Sequence, residues 1–327
     1  MELGKELLYL TRKDVEEVDL PMAEIIDILH AAFLEKDKGT VEMPPKPGIH
    51  PVENAYIHAM PCWVPGLKAA GIKWVAGYPE NQKRGLPYIS GLMVMNDPDT
   101  GLPLAILDAT WVTAMRTGGV TGLTAKYMAN PDSETVGILG CGVQGCTNLE
   151  AVLVTCKKIK RCYAFDIYPE IAEKYAKSQA AKFGIEVVPV KTHKEAVVDS
   201  DIVVTAGPIK HNPDRAIEGA WLKAGVLLAP VDFDCMLMPS VIEDNCTKCY
   251  VDDLGQYQNF KRMGYFPYGP ASLPEICTVF AGKAPGRSSP EEKVAAVNIG
   301  MSLDDIPTAR KIVELAMEKG IGRTLPL

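Results

Sequence analysis

Thr135-Val136-Gly137-Ile138-Leu139-Gly140-Cys141-Gly142-Val143-Gln144-Gly145 is the stretch that decides the fold of this 327-residue chain. It opens with an apolar run of strand length. The glycines that follow are spaced G-x-G-x-x-G, and the apolar segment Leu149 to Thr155 reads as helix. A second strand-like run, Arg161 to Phe165, ends at Asp166, about twenty residues beyond the last glycine. Strand, glycine turn, helix and acid in that order make the motif specific for a dinucleotide. Gly140 permits the tight turn, Gly142 lets the backbone approach a pyrophosphate, and Gly145 lets helix and strand pack closely. The helix start offers N–H groups and a partial positive charge to the phosphates. A carboxylate at Asp166 accepts hydrogen bonds from ribose hydroxyls and repels a 2′-phosphate, and Ile167-Tyr168-Pro169 supplies no arginine to hold one. NAD is therefore the expected cofactor.

From this turn the pattern extends in both directions. Helices are expected over Thr117 to Ala129, Pro169 to Phe183 and Lys194 to Val198. Strands are expected over Glu186 to Val190, Ile202 to Thr205 and Val226 to Ala229. Such alternation specifies a doubly wound parallel sheet, a Rossmann-type α/β domain. Thr205-Ala206-Gly207-Pro208 and Pro230-Val231-Asp232 follow two of those strands, where such sheets place ligands; an ordinary turn reads equally well at the first and a helix cap at the second. Before residue 116 the style differs. One helix is expected over Asp14 to Leu34, then a proline-fixed loop, Met43-Pro44-Pro45-Lys46-Pro47-Gly48. Short strands follow over Ala55 to Met60, Ala69 to Val75, Ile89 to Asn96 and Pro103 to Asp108, suggesting an antiparallel or mixed sheet. Pro307 to Lys319 reads as a helix of the kind that docks back on a first domain. The expected division is residues 1–115 with 303–327 as a mixed α+β domain, and 116–302 as the NAD-binding domain.

A net charge of −7 speaks against nucleic acid as a partner. No apolar run reaches membrane-spanning length, and the start Met1-Glu2-Leu3-Gly4-Lys5-Glu6 does not read as a signal peptide. Nine cysteines, an odd number without framework spacing, read as reduced thiols in a cytoplasmic protein. Cys246 and Cys249 form a CxxC pair, but further ligands at zinc spacing are not found, so no metal is expected.

A few charged residues stand in apolar company. Lys73, within Gly71-Ile72-Lys73-Trp74-Val75, lies on a solvated strand face or aims at a pocket. Arg116 sits at the expected domain join, as a linker cation or a ligand. Lys46 rides the proline loop, as a surface lysine or an anion holder. Asp232 and Asp234 follow a buried-looking strand, as helix caps or as acids at the ligand edge. His58 is a core histidine or faces a site. The aromatic-rich stretch 256–269 reads as flap, subunit contact or surface.

Arg116-Thr117-Gly118-Gly119 followed by helix, strand and the glycine turn resembles the ornithine cyclodeaminase/mu-crystallin family. So does Lys73-Trp74-Val75-Ala76-Gly77-Tyr78-Pro79-Glu80-Asn81, with Met60-Pro61 and Asp99-Thr100-Gly101-Leu102-Pro103-Leu104, all colinear. The resemblance implies a substrate and dimerisation domain completed by the C-terminal helix, a Rossmann domain between, and a homodimer. It implies hydride transfer at a carbon bearing nitrogen. The activity would be an amino acid dehydrogenase or an imine or ketimine reductase, acting on a small amino acid, imino acid or keto acid. The alternatives are a cyclodeaminase with recycled NAD and a non-catalytic ligand binder of the mu-crystallin type. By this resemblance Arg116, Lys73 and Lys46 hold the substrate carboxylate, with Lys46 standing where many members have arginine. Asp232, with Asp234 as the competing position, handles the proton, and Lys73 tunes that traffic. His58 replaces an acid that receives a distal ammonium. The implied cofactor contacts are Thr117, Gly140, Gly142, Val143, Gln144, Gly145, Asp166, Ile167, Thr205, Ala206 and Val231.

Overall fold

The computed structural model of the chain describes residues 2–327. It separates into two compact units, one holding the chain up to Arg116 together with Met301–Leu327, the other Thr117–Gly300. The first unit begins β1 (Glu6–Leu10), α1 (Arg12–Glu17), α2 (Met22–Asp37), β2 (Gly48–Ile49), β3 (Tyr56–Val64), β4 (Ala69–Gly77), β5 (Ile89–Asn96) and β6 (Pro103–Asp108). Helix α3 (Thr110–Met128) carries the chain from the first unit's residues to the second's. The second unit continues β7 (Thr135–Leu139), α4 (Val143–Thr155), β8 (Arg161–Phe165), α5 (Pro169–Phe183), β9 (Glu186–Pro189), α6 (His193–Val197), β10 (Ile202–Thr205) and β11 (Leu227–Pro230). It ends with β12 (Lys248–Val251), α7 (Leu254–Arg262), α8 (Cys277–Phe280) and β13 (Val294–Val297). The chain then adds α9 (Ser302–Lys319) and β14 (Arg323–Pro326) to the first unit.

The first unit is a mixed sheet in the order β14-β1-β6-β5-β4-β3-β2. Only β1 and β6 run parallel; every other neighbouring pair is antiparallel. Strand alternation sends Met60, Cys62, Lys73, Val75, Met93 and Met95 to one face, where they are buried. Helix α9 packs over β3 and β4 on that face, and α2 packs on α9. The helical spacing of Ile25, Ile26, Leu29 and Phe33 gives α2 its buried stripe. The single helix expected over Asp14 to Leu34 is broken in two. Asp19 adopts φ 52°, and Pro21, which has no N–H to give, stands immediately before α2.

Two helices also begin earlier than their composition suggests. Helix α3 starts at Thr110, not Thr117, because the Asp108 carboxylate accepts the Thr110 and Trp111 N–H groups at 3.0 and 3.3 Å. Arg116 therefore lies inside a helix rather than ahead of one. Helix α9 starts at Ser302, not Pro307. The Asp304 carboxylate takes the Met301 N–H at 3.0 Å, and Pro307 is carried inside the helix.

The second unit is an all-parallel sheet in the order β12-β13-β11-β10-β7-β8-β9. Strand order reverses between β7 and β10, so the turn at Gly140 opens at the point where such sheets hold ligands. Leu139, Val203, Leu228 and Ala295 form part of the core beneath. Helices α3 and α4 meet closely at Gly118, where a Cβ would lie 2.4 Å from the Thr147 carbonyl oxygen. Backbone cannot yield as a flexible side chain would. Gly118→Ala is expected to destabilise the protein by roughly 1–3 kcal/mol, the usual scale of overpacking, measured by chemical denaturation.

Candidate active site

The glycine turn divides its work among its three glycines. Gly140 has φ 103°, and a Cβ there would lie 2.5 Å from the Ala206 carbonyl oxygen. The loops after β7 and β10 thus touch backbone to backbone. A Cβ on Gly145 would meet the Gly140 carbonyl oxygen at 2.2 Å, so that glycine closes the helix onto its own turn. Gly142, the residue before α4, is exposed and has no protein atom within 4 Å of where a Cβ would stand. Among the described residues nothing crowds position 142, and the open α4 N-terminus there fits the close approach of a pyrophosphate. Asp166, at the end of β8, accepts the Cys141 N–H at 2.9 Å and the Tyr168 N–H at 3.1 Å. The acid is thereby fixed beside the turn, and the residues present fit a dinucleotide with free ribose hydroxyls.

Two strands along the same carboxyl edge lies Asp232, fully buried. Its Oδ1 accepts the Thr205 hydroxyl at 2.5 Å and its Oδ2 accepts the Gly207 N–H at 3.1 Å. Burial pushes its pKa up to about 7, with these hydrogen bonds acting against the rise. Asp232 therefore gains and loses its proton near neutrality. Its neighbour Phe233 takes the left-handed conformation, φ 65°, although its side chain is large. The rings of Phe260, Tyr265 and Phe266 hold it, with centroids 4.9, 5.3 and 5.1 Å away. Within the aromatic stretch 256–269, buried Phe260 and Phe266 clamp the turn carrying Asp232, while Arg262 to Gly264, Pro267 and Tyr268 are exposed. Asp234 is spent on Arg215, 2.7 Å from its Oδ2. Asn298, just past β13, donates its backbone N–H to Pro230, while its buried side-chain amide has no hydrogen-bond partner among the described residues. Sequence inspection missed Asn298; an amide directly after the apolar run Val294 to Val297 was the available signal.

In the first unit, Lys73 is only 1% exposed and its ammonium lies 2.5 Å from Asp305 of α9. Arg116 is also buried, with Nε 2.9 Å from Asp305 and Nη1 3.1 Å from Asp304. Burial lowers the Lys73 pKa to about 7 against the pull of Asp305. It raises that of Asp304 to about 6, with Arg116 opposing. His58 stacks on Tyr56 at 4.3 Å, with the His50 ring edge-on at 6.2 Å. Burial, and then the charges of Lys46, His50 and Lys73, bring the His58 pKa down to about 3, so its imidazole is neutral.

The model of the ornithine cyclodeaminase/mu-crystallin family matches residues 5–320. The chain belongs to that family. The nodulation efficiency protein of Rhizobium meliloti is 34% identical over 96% of this chain and 97% of its own length. Among solved structures, the Δ1-pyrroline-2-carboxylate reductase of Thermococcus litoralis, in complex with NADH and L-proline, is 32% identical with a TM-score of 0.87, covering 97% of this chain and 99% of that one. An archaeal alanine dehydrogenase dimer with bound NAD is 30% identical with a TM-score of 0.86, covering 98% and 99%.

Within this member of the family the site residues named from sequence fall into two sets. Gly140, Gly142, Val143, Gln144, Gly145, Asp166, Ile167, Thr205, Ala206, Val231 and Asp232 line the carboxyl edge of the second unit's sheet. Val143 and Ile167 leave their side chains exposed there, at 65% and 70%. Thr117 belongs to α3. Lys73, Arg116 and His58 are buried in the first unit, and Lys46 is half-buried on its loop. The solvated-face reading of Lys73 is ruled out by its burial. Sequence inspection missed Asp304 and Asp305; adjacent acids ahead of an apolar helix were the signal. Among the described residues no His, Cys, Asp and Glu group is placed to hold a metal ion, and no helix is long and apolar enough to cross a membrane.

Gly142→Ala is expected to leave the thermal midpoint unchanged while weakening NADH binding about tenfold or more, read by fluorescence titration. Gly145→Ala should lower the midpoint itself.

Proposed function

We infer that this chain moves a hydride between NAD(H) and the carbon–nitrogen bond of an amino acid or its imine. The observation that carries this reading is Asp232: a buried acid titrating near neutrality on the same sheet edge as a nucleotide turn, in a chain resembling enzymes of that chemistry. NAD(H), when bound, supplies or accepts the hydride. The chain's own residues do the rest. Lys73, Arg116 and Lys46 hold the substrate carboxylate, which fixes the carbon to be reduced or oxidised. Asp232 gives a proton to the nitrogen in reduction and takes it back in oxidation. Thr205 and Gly207 orient the Asp232 carboxyl, and Asn298, whose buried amide has no hydrogen-bond partner among the described residues, would be available to hold a polar group of the cofactor.

Ornithine cyclisation is the less favoured chemistry. A distal ammonium needs a carboxylate, whereas His58 is neutral and faces the positive charges of Lys46 and Lys73. A compact amino acid with an uncharged side chain is the better fit. The nine cysteines are free thiols, which suits the reducing cytoplasm where we place the enzyme.

Asp232→Asn is expected to cut turnover by roughly 100-fold or more while NADH still binds. In the wild type, kcat/KM for imine reduction should fall as pH rises through about 7, because the acid form is needed, and the oxidative rate should rise over the same range. The measurement is stopped-flow NADH absorbance with pyruvate plus ammonium and with a cyclic imino acid. A profile flat across pH 6–8 in the wild type would falsify the role of Asp232.

The homodimer is also part of this reading. The sheet face of the first unit opposite α9 carries Trp63, Ile72, Trp74, Leu92 and Val94, with Trp74 and Leu92 paired across β4 and β5 and each 48% exposed. An apolar sheet face of this kind fits a two-fold contact with a second copy. Trp74→Glu combined with Leu92→Glu should convert a dimer to monomer in sedimentation velocity; a wild type that sediments as monomer at micromolar concentration refutes the assignment.

A further inference from the structure

The inward face of the first unit's sheet holds an unusual concentration of buried charge. Lys73 comes from β4, Arg116 from α3, and Asp304 and Asp305 from the first turn of α9. Asp305 touches both cations, at 2.5 and 2.9 Å; Asp304 touches Arg116 alone, at 3.1 Å. Cys62 and His58 of β3 border the group, and both are uncharged at neutral pH, the thiol raised to about 12 by burial. With Lys73 protonated and Asp304 ionised, the two cations and the two carboxylates cancel. The ammonium of Lys46, close enough to lower the pKa of both Lys73 and His58, leaves one positive charge in excess.

We propose that Asp304 is a specificity-determining residue: as the counter-charge to Arg116 it holds the substrate site at one net positive charge and so selects a substrate with a single carboxylate over a dicarboxylate. The inference rests on the reading of Lys73, Arg116 and Lys46 as carboxylate holders. Its physical basis is that charge buried away from water must be balanced nearby. One substrate carboxylate completes the balance, and a second would bring a charge that the buried group does not match. The two acids are not equivalent in this respect. Asp305 bridges the two cations, so removing its charge would release both. Asp304 uses one oxygen for Arg116 and the Met301 N–H, and its other oxygen has no hydrogen-bond partner among the described residues. Asparagine keeps an oxygen to accept from Arg116 and the Met301 N–H, removes the charge, and puts an NH2 where the other oxygen has no hydrogen-bond partner.

The test is calorimetric binding of two inert probes, propanoate and succinate, to the NADH complex at pH 6.5, where Asp304 is mostly ionised and Lys73 mostly protonated. The wild type should prefer propanoate. Asp304→Asn should move the ratio of dissociation constants toward succinate by about tenfold, while Asp304→Glu, which keeps the charge, should leave it near the wild-type value. An unchanged ratio in Asp304→Asn, with propanoate still bound, overturns the role of Asp304 and leaves the carboxylate site standing. Wild type that binds neither probe overturns both. Thermal melts accompany each variant. Should Asp304→Asn not fold, Asp304→Gln replaces it; if neither neutral variant folds, Asp304 is a folding residue and the proposal fails.

Discussion

An ammonium buried to 1% exposure survives only with a carboxylate beside it, and Lys73 has Asp305 at 2.5 Å. Much of the first unit follows from that contact. It ties the middle of β4 to the first turn of α9, and Asp305 reaches on to Arg116 in α3. Three elements far apart in sequence are thereby fixed around one point. The same pairing keeps the lysine partly charged where burial alone would neutralise it. Stability and the proposed carboxylate grip thus draw on one set of groups.

The second unit meets a comparable problem with backbone rather than charge. Asp232 must leave the end of β11 and turn back into the protein, and the residue that permits this is Phe233 in a left-handed conformation. A glycine would take that conformation at no steric expense but would pack against nothing. Phenylalanine is strained there, and the surrounding rings hold the strain in place. The acid's position is therefore set by aromatic packing, and its proton affinity by burial offset by Thr205 and Gly207.

The parts of the fold that were legible in the sequence are those carried by local pattern. The run Thr135 to Gly145 and the acid at 166 specify a Rossmann-type sheet because strand period, glycine spacing and helix start all lie within one contiguous segment. Lys73, Arg116 and Asp232 could be picked out by their apolar company and by the family resemblance. What the pattern did not carry was partnership. Arg116 looked like a linker residue because the cap that starts its helix, Asp108, lies before the glycine-rich stretch that drew attention. Asp304 and Asp305 were hidden because Pro307 suggested a helix start, whereas the helix begins ahead of it. The pairing of Lys73 with Asp305 spans most of the chain, and no periodicity reports such a contact.

That long span bears on how the molecule is made. The first unit consists of two segments separated by the whole of the second, so its α9 and β14 emerge from the ribosome only after the second unit. Until residues 304 and 305 are synthesised, Lys73 and Arg116 have no acidic partners from α9, and the face of β3 and β4 that α9 covers lies open. The nucleotide-binding unit is contiguous in sequence and is complete before α9 is made. A nascent chain that has not reached α9 thus carries Lys73 and Arg116 without these two carboxylates, and α9 both covers that face and supplies the counter-charge.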